Sequence, residues 1–166
     1  MTPRKNLRLL ATTLLLTLVA PLQAGLNKLL PDQLYDAQGK AIPRENLDGK
    51  IIGVYFSAEW CQPCRDFTPS LVKFRDGNQT DFEVVFVSSD RDARTQKKYM
   101  TSYKMQWPAV KHGSPEARKL KQRFKVRGIP TLVILDSDGN TLTINGQSAI
   151  SRNPSGALAA WKKSSK

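Results

Sequence analysis

Cysteine and histidine, the residues that bind structural zinc, are scarce: the 166 residues include only two cysteines and one histidine. A structural zinc site usually takes four ligands, mostly of these two residue types, so the composition argues against a zinc-binding module. The single histidine, His112, is interpreted as a loop residue rather than as a catalytic base. We therefore predict no metal site, and we predict no bound cofactor because the sequence shows no cofactor-binding motif.

Acidic residues are also scarce: 14 Asp and Glu stand against 26 Lys and Arg, and the net charge is +12 at pH 7. A basic balance of this size suits nucleic-acid binding, but here the basic residues are scattered along the chain rather than clustered. We predict no nucleic-acid partner. An excess of positive charge instead favours attraction to acidic proteins or to an anionic membrane surface.

The chain lacks an apolar run long enough to cross a membrane. Its N-terminal run, Leu9–Val19, has about half of the ~20 residues that a spanning helix needs. The run follows three basic residues and precedes a cleavage-like segment, Pro21-Leu22-Gln23-Ala24. This order predicts a secretory signal peptide over residues 1–24, a single domain over residues 25–166, and an exported, periplasmic protein. The alternative is an uncleaved segment that anchors the protein.

Both cysteines lie in one short motif, Trp60-Cys61-Gln62-Pro63-Cys64. The motif follows an apolar, β-prone run, Ile51–Phe56, and opens a helical pattern, so a strand is predicted to end and a helix to begin here. The free N–H groups and partial positive charge of a helix N-terminus favour a thiolate. The motif predicts a redox pair in which Cys61 is the exposed nucleophile and Cys64 resolves the mixed disulfide. A purely structural disulfide is the alternative, although so short a loop constrains the unfolded chain little.

Periodicity around the motif predicts alternating strands and helices. The predicted strands cover residues 51–56, 82–87, 131–135 and 141–144, after a hairpin within residues 29–42. The predicted helices cover residues 61–75 and 92–103, with two more beginning at residues 114 and 153. Parallel strands joined by helices need helices on both faces of the sheet, and the last hairpin adds an antiparallel edge. The predicted fold class is therefore α/β, with a central mixed sheet, helices on both faces and a short N-terminal hairpin.

Three segments resemble the tryparedoxin/nucleoredoxin branch of the thioredoxin superfamily: residues 54–69, 82–92 and 126–133. The resemblance covers about residues 46–139 and implies a thioredoxin-like three-layer sandwich. It also implies a thiol–disulfide oxidoreductase in which Cys61 is the nucleophile and Cys64 the resolving thiol. Pro130 is implied to be a cis-proline that faces the active site. The only redox group of such a protein is its own disulfide.

The expected substrate contacts lie on both sides of the cysteine pair, at Trp60, Gln62, Pro63, Ile129 and Pro130. A cis-proline leaves the backbone of the preceding residue free to pair with an extended substrate segment. Trp60 offers a flat apolar surface to a partner protein. The alternatives are a strand-initiating role for Pro130 and a core position for Trp60.

Two positions depart from the patterns of the family. Gln62 stands where the branch usually has proline. Tyr55 stands where thioredoxin itself has a buried aspartate that helps proton transfer at the second thiol. The route by which Cys64 loses its proton is therefore left open by the sequence.

The motif and the predicted fold together predict a monomer that reduces protein disulfides by dithiol–disulfide exchange. A membrane-bound thiol donor is expected to regenerate it. Three other functions occur on the same fold: a thiol-dependent peroxidase, a metal-delivery protein and a non-catalytic binding module. A peroxidase would need one low-pKa cysteine, and copper delivery would favour a wider cysteine spacing and a well-placed histidine.

Overall fold

The computed structural model describes residues 24–165, so almost all of the predicted signal peptide lies outside the described residues. The elements in chain order are α1 (Ala24–Leu29), β1 (Gln33–Tyr35), β2 (Ala41–Pro43), a 3₁₀ turn (Arg44–Leu47), β3 (Ile51–Ser57), α2 (Gln62–Asp76), β4 (Phe82–Ser88), α3 (Ala93–Ser102), α4 (Pro115–Arg123), β5 (Thr131–Leu135), β6 (Thr141–Thr143), α5 (Gly146–Arg152) and α6 (Pro154–Ser164). Within this range no helix has the length and apolar character needed to cross a membrane.

Four strands form the central sheet in the order β4–β3–β5–β6. β3 pairs in parallel with β4 along its whole length, from Ile51 opposite Phe82 to Ser57 opposite Ser88. β5 runs antiparallel to β3, and β6 runs antiparallel to β5. Every residue of β3 and β4 is buried, as expected for strands that are covered on both faces.

β1 and β2 form the predicted N-terminal hairpin, which joins the sheet through Ala109. Tyr35 and Ala109 exchange two backbone hydrogen bonds, with N···O distances of 2.9 and 2.8 Å. The two neighbours of Ala109 bond in turn to Phe86 of β4. The Val110 N–H donates to the Phe86 carbonyl, and the Phe86 N–H donates to the Pro108 carbonyl, both at 2.9 Å. The hairpin therefore extends the sheet beyond β4.

The sheet separates two apolar layers. The first layer packs α2, α3, α5 and α6 against one face, and these helices contribute Phe67, Tyr99, Ile150 and Trp161 respectively. The second layer covers the opposite face, where α1 contributes Leu26 and α4 contributes Leu120. Helices lie on both faces of a mixed sheet, so the predicted α/β fold class is confirmed.

The sequence pattern predicts no element between residues 144 and 153, where the structure has α5. Asn145 provides no side-chain cap for this helix, so its N-terminus carries no local signal. Packing holds the helix instead: Ile150 is buried, and a Cβ on Gly146 would lie only 2.7 Å from the Ile134 Cδ1 atom. Close approach to the sheet, rather than local propensity, determines this element.

A buried ion pair ties the end of α2 to β4. The Arg75 guanidinium donates two hydrogen bonds to the Glu83 carboxylate, at 2.8 and 2.7 Å. Both residues are buried, with 8% and 7% of their surface exposed. Hydrogen bonds to Glu83 raise the pKa of Arg75 above its ordinary value, so the guanidinium stays charged.

We expect Arg75→Ala to lower the free energy of unfolding by about 3–5 kcal/mol, because it leaves the Glu83 carboxylate buried without its counter-ion. The control is Lys162→Ala, which removes the exposed pair between Lys162 and Asp81 at 3.0 Å and should cost about 0–1 kcal/mol. Urea denaturation followed by circular dichroism measures both losses. Equal losses would contradict a structural role for the buried pair.

Candidate active site

The cysteine pair lies at the junction of β3 and α2. Cys61 is the N-terminal cap of α2, with an extended backbone (φ −86°, ψ 108°), and its sulfur accepts a hydrogen bond from the Cys64 N–H at 3.3 Å. The two cysteines form a disulfide, and their Cα atoms are 5.2 Å apart. Cys61 keeps 6% of its surface exposed whereas Cys64 has none. A substrate can therefore reach only the first sulfur of the pair.

The surroundings of Cys61 suit a thiolate. The first turn of α2 contains no acidic residue, so no carboxylate within that turn opposes the partial positive charge of the helix N-terminus. The same N–H group that now bonds to the Cys61 sulfur is placed to stabilise its negative charge after reduction. The Arg65 guanidinium bonds instead to the Glu59 carbonyl and to the Gln62 side chain.

Gln62 and Pro63 form the exposed first turn of α2. The Gln62 side-chain amide donates to Asp66 at 2.7 Å and accepts from Arg65, so a restrained polar group occupies the position where the branch has proline. Pro63 lies in the first turn, where its missing N–H costs no helical hydrogen bond.

The loop before β5 meets the disulfide from the other side. The Ile129–Pro130 peptide bond is cis, and the Ile129 carbonyl oxygen lies 3.7 Å from the Cys61 sulfur. Ile129 packs against a small apolar cluster of Ala58, Cys61 and Cys64. The fold thus brings together residues 61 and 129, which are far apart in the sequence.

Trp60 stands out on the surface beside this pair. Its side chain is 62% exposed, so it does not lie in the core. Its indole N–H donates to the Ser89 carbonyl at 3.1 Å. One edge of the ring is therefore held while its face stays open to a partner.

Asp90 holds the loop that leads to the disulfide, a role that sequence analysis did not identify. Its carboxylate accepts hydrogen bonds from the Glu59 N–H and from the Ser88 hydroxyl, both at 2.7 Å. The ring of His112 also contacts this segment, with Nε2 2.8 Å from the Asp90 carbonyl oxygen. The single histidine therefore supports the loop between β4 and α3.

The side chain of Lys121, on α4, contacts the same loop. Its amine donates to the Ser88 carbonyl at 3.2 Å. Burial lowers the pKa of Lys121, and the neighbouring Asp90 carboxylate partly opposes that shift. The segment after β4 is thus held by Ser88 of β4, Lys121 of α4 and His112 of the loop before α4.

A buried network of hydroxyl groups lies beneath Cys64. The Thr68 hydroxyl donates to the Cys64 carbonyl at 2.8 Å and lies 2.7 Å from the Tyr99 hydroxyl. Tyr55 also donates to the Cys64 carbonyl, at 3.3 Å, and lies 3.0 Å from the Thr68 hydroxyl. Ser57 completes the network, 3.1 Å from the Tyr99 hydroxyl. The network binds the main chain of Cys64 and not its sulfur.

Tyr55 does not supply the base that a buried aspartate would supply. Burial raises the pKa of Tyr55 above its ordinary value, and the neighbouring Tyr99 adds to that shift. Burial also raises the pKa of Tyr99. Both hydroxyls stay protonated at neutral pH, so they orient the start of α2 without accepting the Cys64 proton.

The sheet, the disulfide at a helix N-terminus and the adjacent cis-proline define a thiol–disulfide oxidoreductase of the thioredoxin fold. A model of the family described as thioredoxin-like matches residues 49–141. The chain belongs to this thioredoxin-like family, and the resemblance seen in three segments of the sequence is confirmed.

Individual relatives agree with this assignment. Tryparedoxin I from Crithidia fasciculata is 37% identical in sequence and superposes with a TM-score of 0.72, over 80% of this chain and 94% of that one. Probable nucleoredoxin 1 of Arabidopsis thaliana is 43% identical over 72% of this chain but only 21% of its own length. Nucleoredoxin of Danio rerio is 42% identical over 69% of this chain and 28% of its own length. The chain thus spans about a quarter of the nucleoredoxins it matches.

We expect Tyr55→Phe to leave the pH dependence of thiol–disulfide exchange unchanged between about pH 5 and 9, because Tyr55 is neutral throughout that range. The raised pKa of Tyr55 contributes stability that is fully present below about pH 10, which is the pKa of tyrosine in the unfolded chain. That contribution is lost as the pH rises above this value. Tyr55→Phe should therefore lose less stability than the parent protein between neutral and strongly alkaline pH. Exchange rates with a small disulfide and urea denaturation across pH measure the two effects.

The matched control is Ser57→Ala, at the other end of the hydroxyl network. It should cost about 0.5–1.5 kcal/mol of stability, the usual net value of one hydrogen bond, and leave the pH profile of exchange in place. A shift of that profile in Tyr55→Phe by one pH unit or more would show that Tyr55 takes part in proton transfer.

Proposed function

We propose that this protein is an exported thiol–disulfide oxidoreductase that reduces disulfides in other proteins. One observation carries the proposal: the more exposed sulfur of the pair, on Cys61, lies between a helix N-terminus and the Ile129 carbonyl, and the second sulfur is buried behind it. This arrangement separates an attacking thiol from a resolving thiol.

The reaction begins with the reduced pair. The Cys61 thiolate attacks one sulfur of the substrate disulfide, and a mixed disulfide forms while the other substrate sulfur leaves as a thiolate that takes up a proton. Cys64 then loses its proton and attacks the Cys61 sulfur, which releases the second substrate thiolate. Two electrons have passed to the substrate, and the protein is left with the Cys61–Cys64 disulfide.

We propose that the substrate binds to residues on both sides of Cys61. The Ile129 carbonyl is placed to accept a backbone N–H of an extended substrate segment, as in strand addition. Trp60 supplies an exposed aromatic face, and Gln62 and Pro63 border the sulfur on the helix side. The Gln62-Pro63 dipeptide is of the x-Pro type common among reducing members of the superfamily, which favours reduction over oxidation.

Regeneration requires a dithiol that returns two electrons to the Cys61–Cys64 disulfide. For a protein outside the cytoplasm we propose a membrane-bound thiol donor. We also propose that the protein acts as a monomer and binds no nucleic acid.

The proposal of export to the periplasm rests on the basic, apolar and cleavage-like segments of residues 1–24. The side chain of Leu26 is buried in the domain, which supports a cleavage point that leaves Leu26 in the mature chain.

The roles of the two cysteines are tested with Cys64→Ser and Cys61→Ser. Cys64→Ser should accumulate mixed disulfides with substrate proteins, because the attacking thiol remains while the resolving thiol is gone. Cys61→Ser, the matched control, should accumulate none. Non-reducing electrophoresis of acid-quenched extracts measures both. Trapping by Cys61→Ser alone would reverse the two roles.

Export is tested by fractionating a Gram-negative host that expresses the full chain. We expect a periplasmic protein whose N-terminal residue is Gly25, as read by mass spectrometry. Leu14→Arg interrupts the apolar run with a charge and should keep the protein in the cytoplasm at full length. A parent protein recovered from the cytoplasm, with residues 1–24 still attached, would contradict the proposal.

A further inference from the structure

A recess of about 440 Å³ is lined in part by Trp60, the residue before Cys61, and its charged residues have no part in the exchange reaction described above. Two of its lining residues are the two that precede Cys61, and the rest come from α3 and the loop before it. The lining residues are Glu59, Trp60, Arg91, Arg94, Thr95 and Lys98. The recess is therefore built into the same surface as the attacking sulfur.

The parallel pairing of β3 with β4 creates this recess. The carboxyl ends of the two strands are adjacent, with Ser57 opposite Ser88, so the loops that follow them run side by side. The Glu59 N–H donates to Asp90, and the Trp60 indole donates to the Ser89 carbonyl. These bonds join the loop of the active site to the loop that carries Arg91.

Three cationic residues line this recess. Arg91, Arg94 and Lys98 are all exposed, and their spacing of three and four residues places them along one side of α3 and the turn before it. Among residues 24–165, neither Arg94 nor Lys98 forms an ion pair, whereas Arg91 lies 3.3 Å from Asp92. The recess thus offers at least two cations that form no ion pair with a described carboxylate.

Acidic groups near the recess are few and partly occupied. The Asp92 carboxylate already accepts hydrogen bonds from the N–H and the hydroxyl of Thr95, at 2.7 and 2.8 Å. These bonds, more than the nearby arginines, lower the pKa of Asp92. Glu59 is the single acidic residue in the lining. The lining is therefore positive, with three cations against one carboxylate.

We infer that this recess binds acidic side chains that lie within a few residues of the disulfide in the protein substrate. Carboxylates form charge-assisted hydrogen bonds with Arg and Lys, and the open face of Trp60 can pack against the apolar part of the same segment. The inference rests on the proposed function and names the class of substrate: disulfides in acidic surroundings. Complementary charge at such a site raises the association rate and selects among partners.

The test compares two synthetic disulfide peptides that differ only in the residues flanking the disulfide, Glu in one and Gln in the other. For each form of the enzyme, the ratio of kcat/KM for the acidic peptide to that for the neutral peptide is measured. The parent protein should favour the acidic peptide about fivefold at about 0.05 M salt, and the ratio should approach one at about 0.5 M salt because charge is screened. The difference should lie mainly in KM.

The variant that tests the recess is R94E/K98E, with Arg94→Gln/Lys98→Gln as a milder form should the first fail to fold. The ratio should fall below one in R94E/K98E and approach one in the glutamine form. The matched control is K119E/R123E, which changes two exposed cations at the same four-residue spacing on α4. It alters the net charge equally and should keep the parent ratio.

The experiment distinguishes a failure of the proposed recess from a failure of the proposed oxidoreductase function. Equal kcat/KM values for the two peptides in the parent protein would overturn the recess and leave the oxidoreductase intact. An equal drop of the ratio in K119E/R123E would overturn it too, because the net charge of the protein would then explain the preference. Failure of the parent protein to reduce either peptide, or a small uncharged disulfide, would overturn the proposed function together with the inference.

Discussion

The position of Cys61 as the N-terminal cap of α2 is the constraint on which the site depends. At this position the sulfur receives a hydrogen bond from the Cys64 N–H and lies in the positive end of the helix. The helix also buries Cys64 one turn further on. One backbone junction therefore sets both the reactivity of the first sulfur and the protection of the second.

The sheet determines what surrounds that junction. β3 pairs in parallel with β4 on one side and antiparallel with β5 on the other, so its carboxyl end is flanked by the end of one neighbour and the start of the other. β4 delivers the loop of Ser89 and Asp90, which holds Trp60 and Glu59. The loop before β5 delivers Ile129, whose carbonyl oxygen lies 3.7 Å from the Cys61 sulfur. The central position of β3 is thus the reason that three distant segments meet at the disulfide.

The parts of the site that sequence could predict are those with local signals. The apolar strand before Cys61 and the helical pattern after it place the cysteines at a strand–helix junction, and Ser114 before Pro115 marks the start of α4. Groups that depend on pairing between distant segments could not be predicted. The hydroxyl network joins Tyr55, Thr68 and Tyr99, which come from β3, α2 and α3, and no spacing in the sequence links them. Arg94 and Lys98 of α3 line a recess together with Trp60 for the same reason, through the pairing of β3 with β4.

The most direct test of the central claim is a redox titration of the Cys61–Cys64 pair in glutathione buffers, with acid quenching, thiol alkylation and mass spectrometry. We predict one two-electron transition in which both thiols appear together, with a midpoint more reducing than about −200 mV, as in reductants of this fold. A disulfide that fails to exchange with glutathione would contradict a redox role. A midpoint near −120 mV, that of a strong oxidant, would contradict the proposed direction.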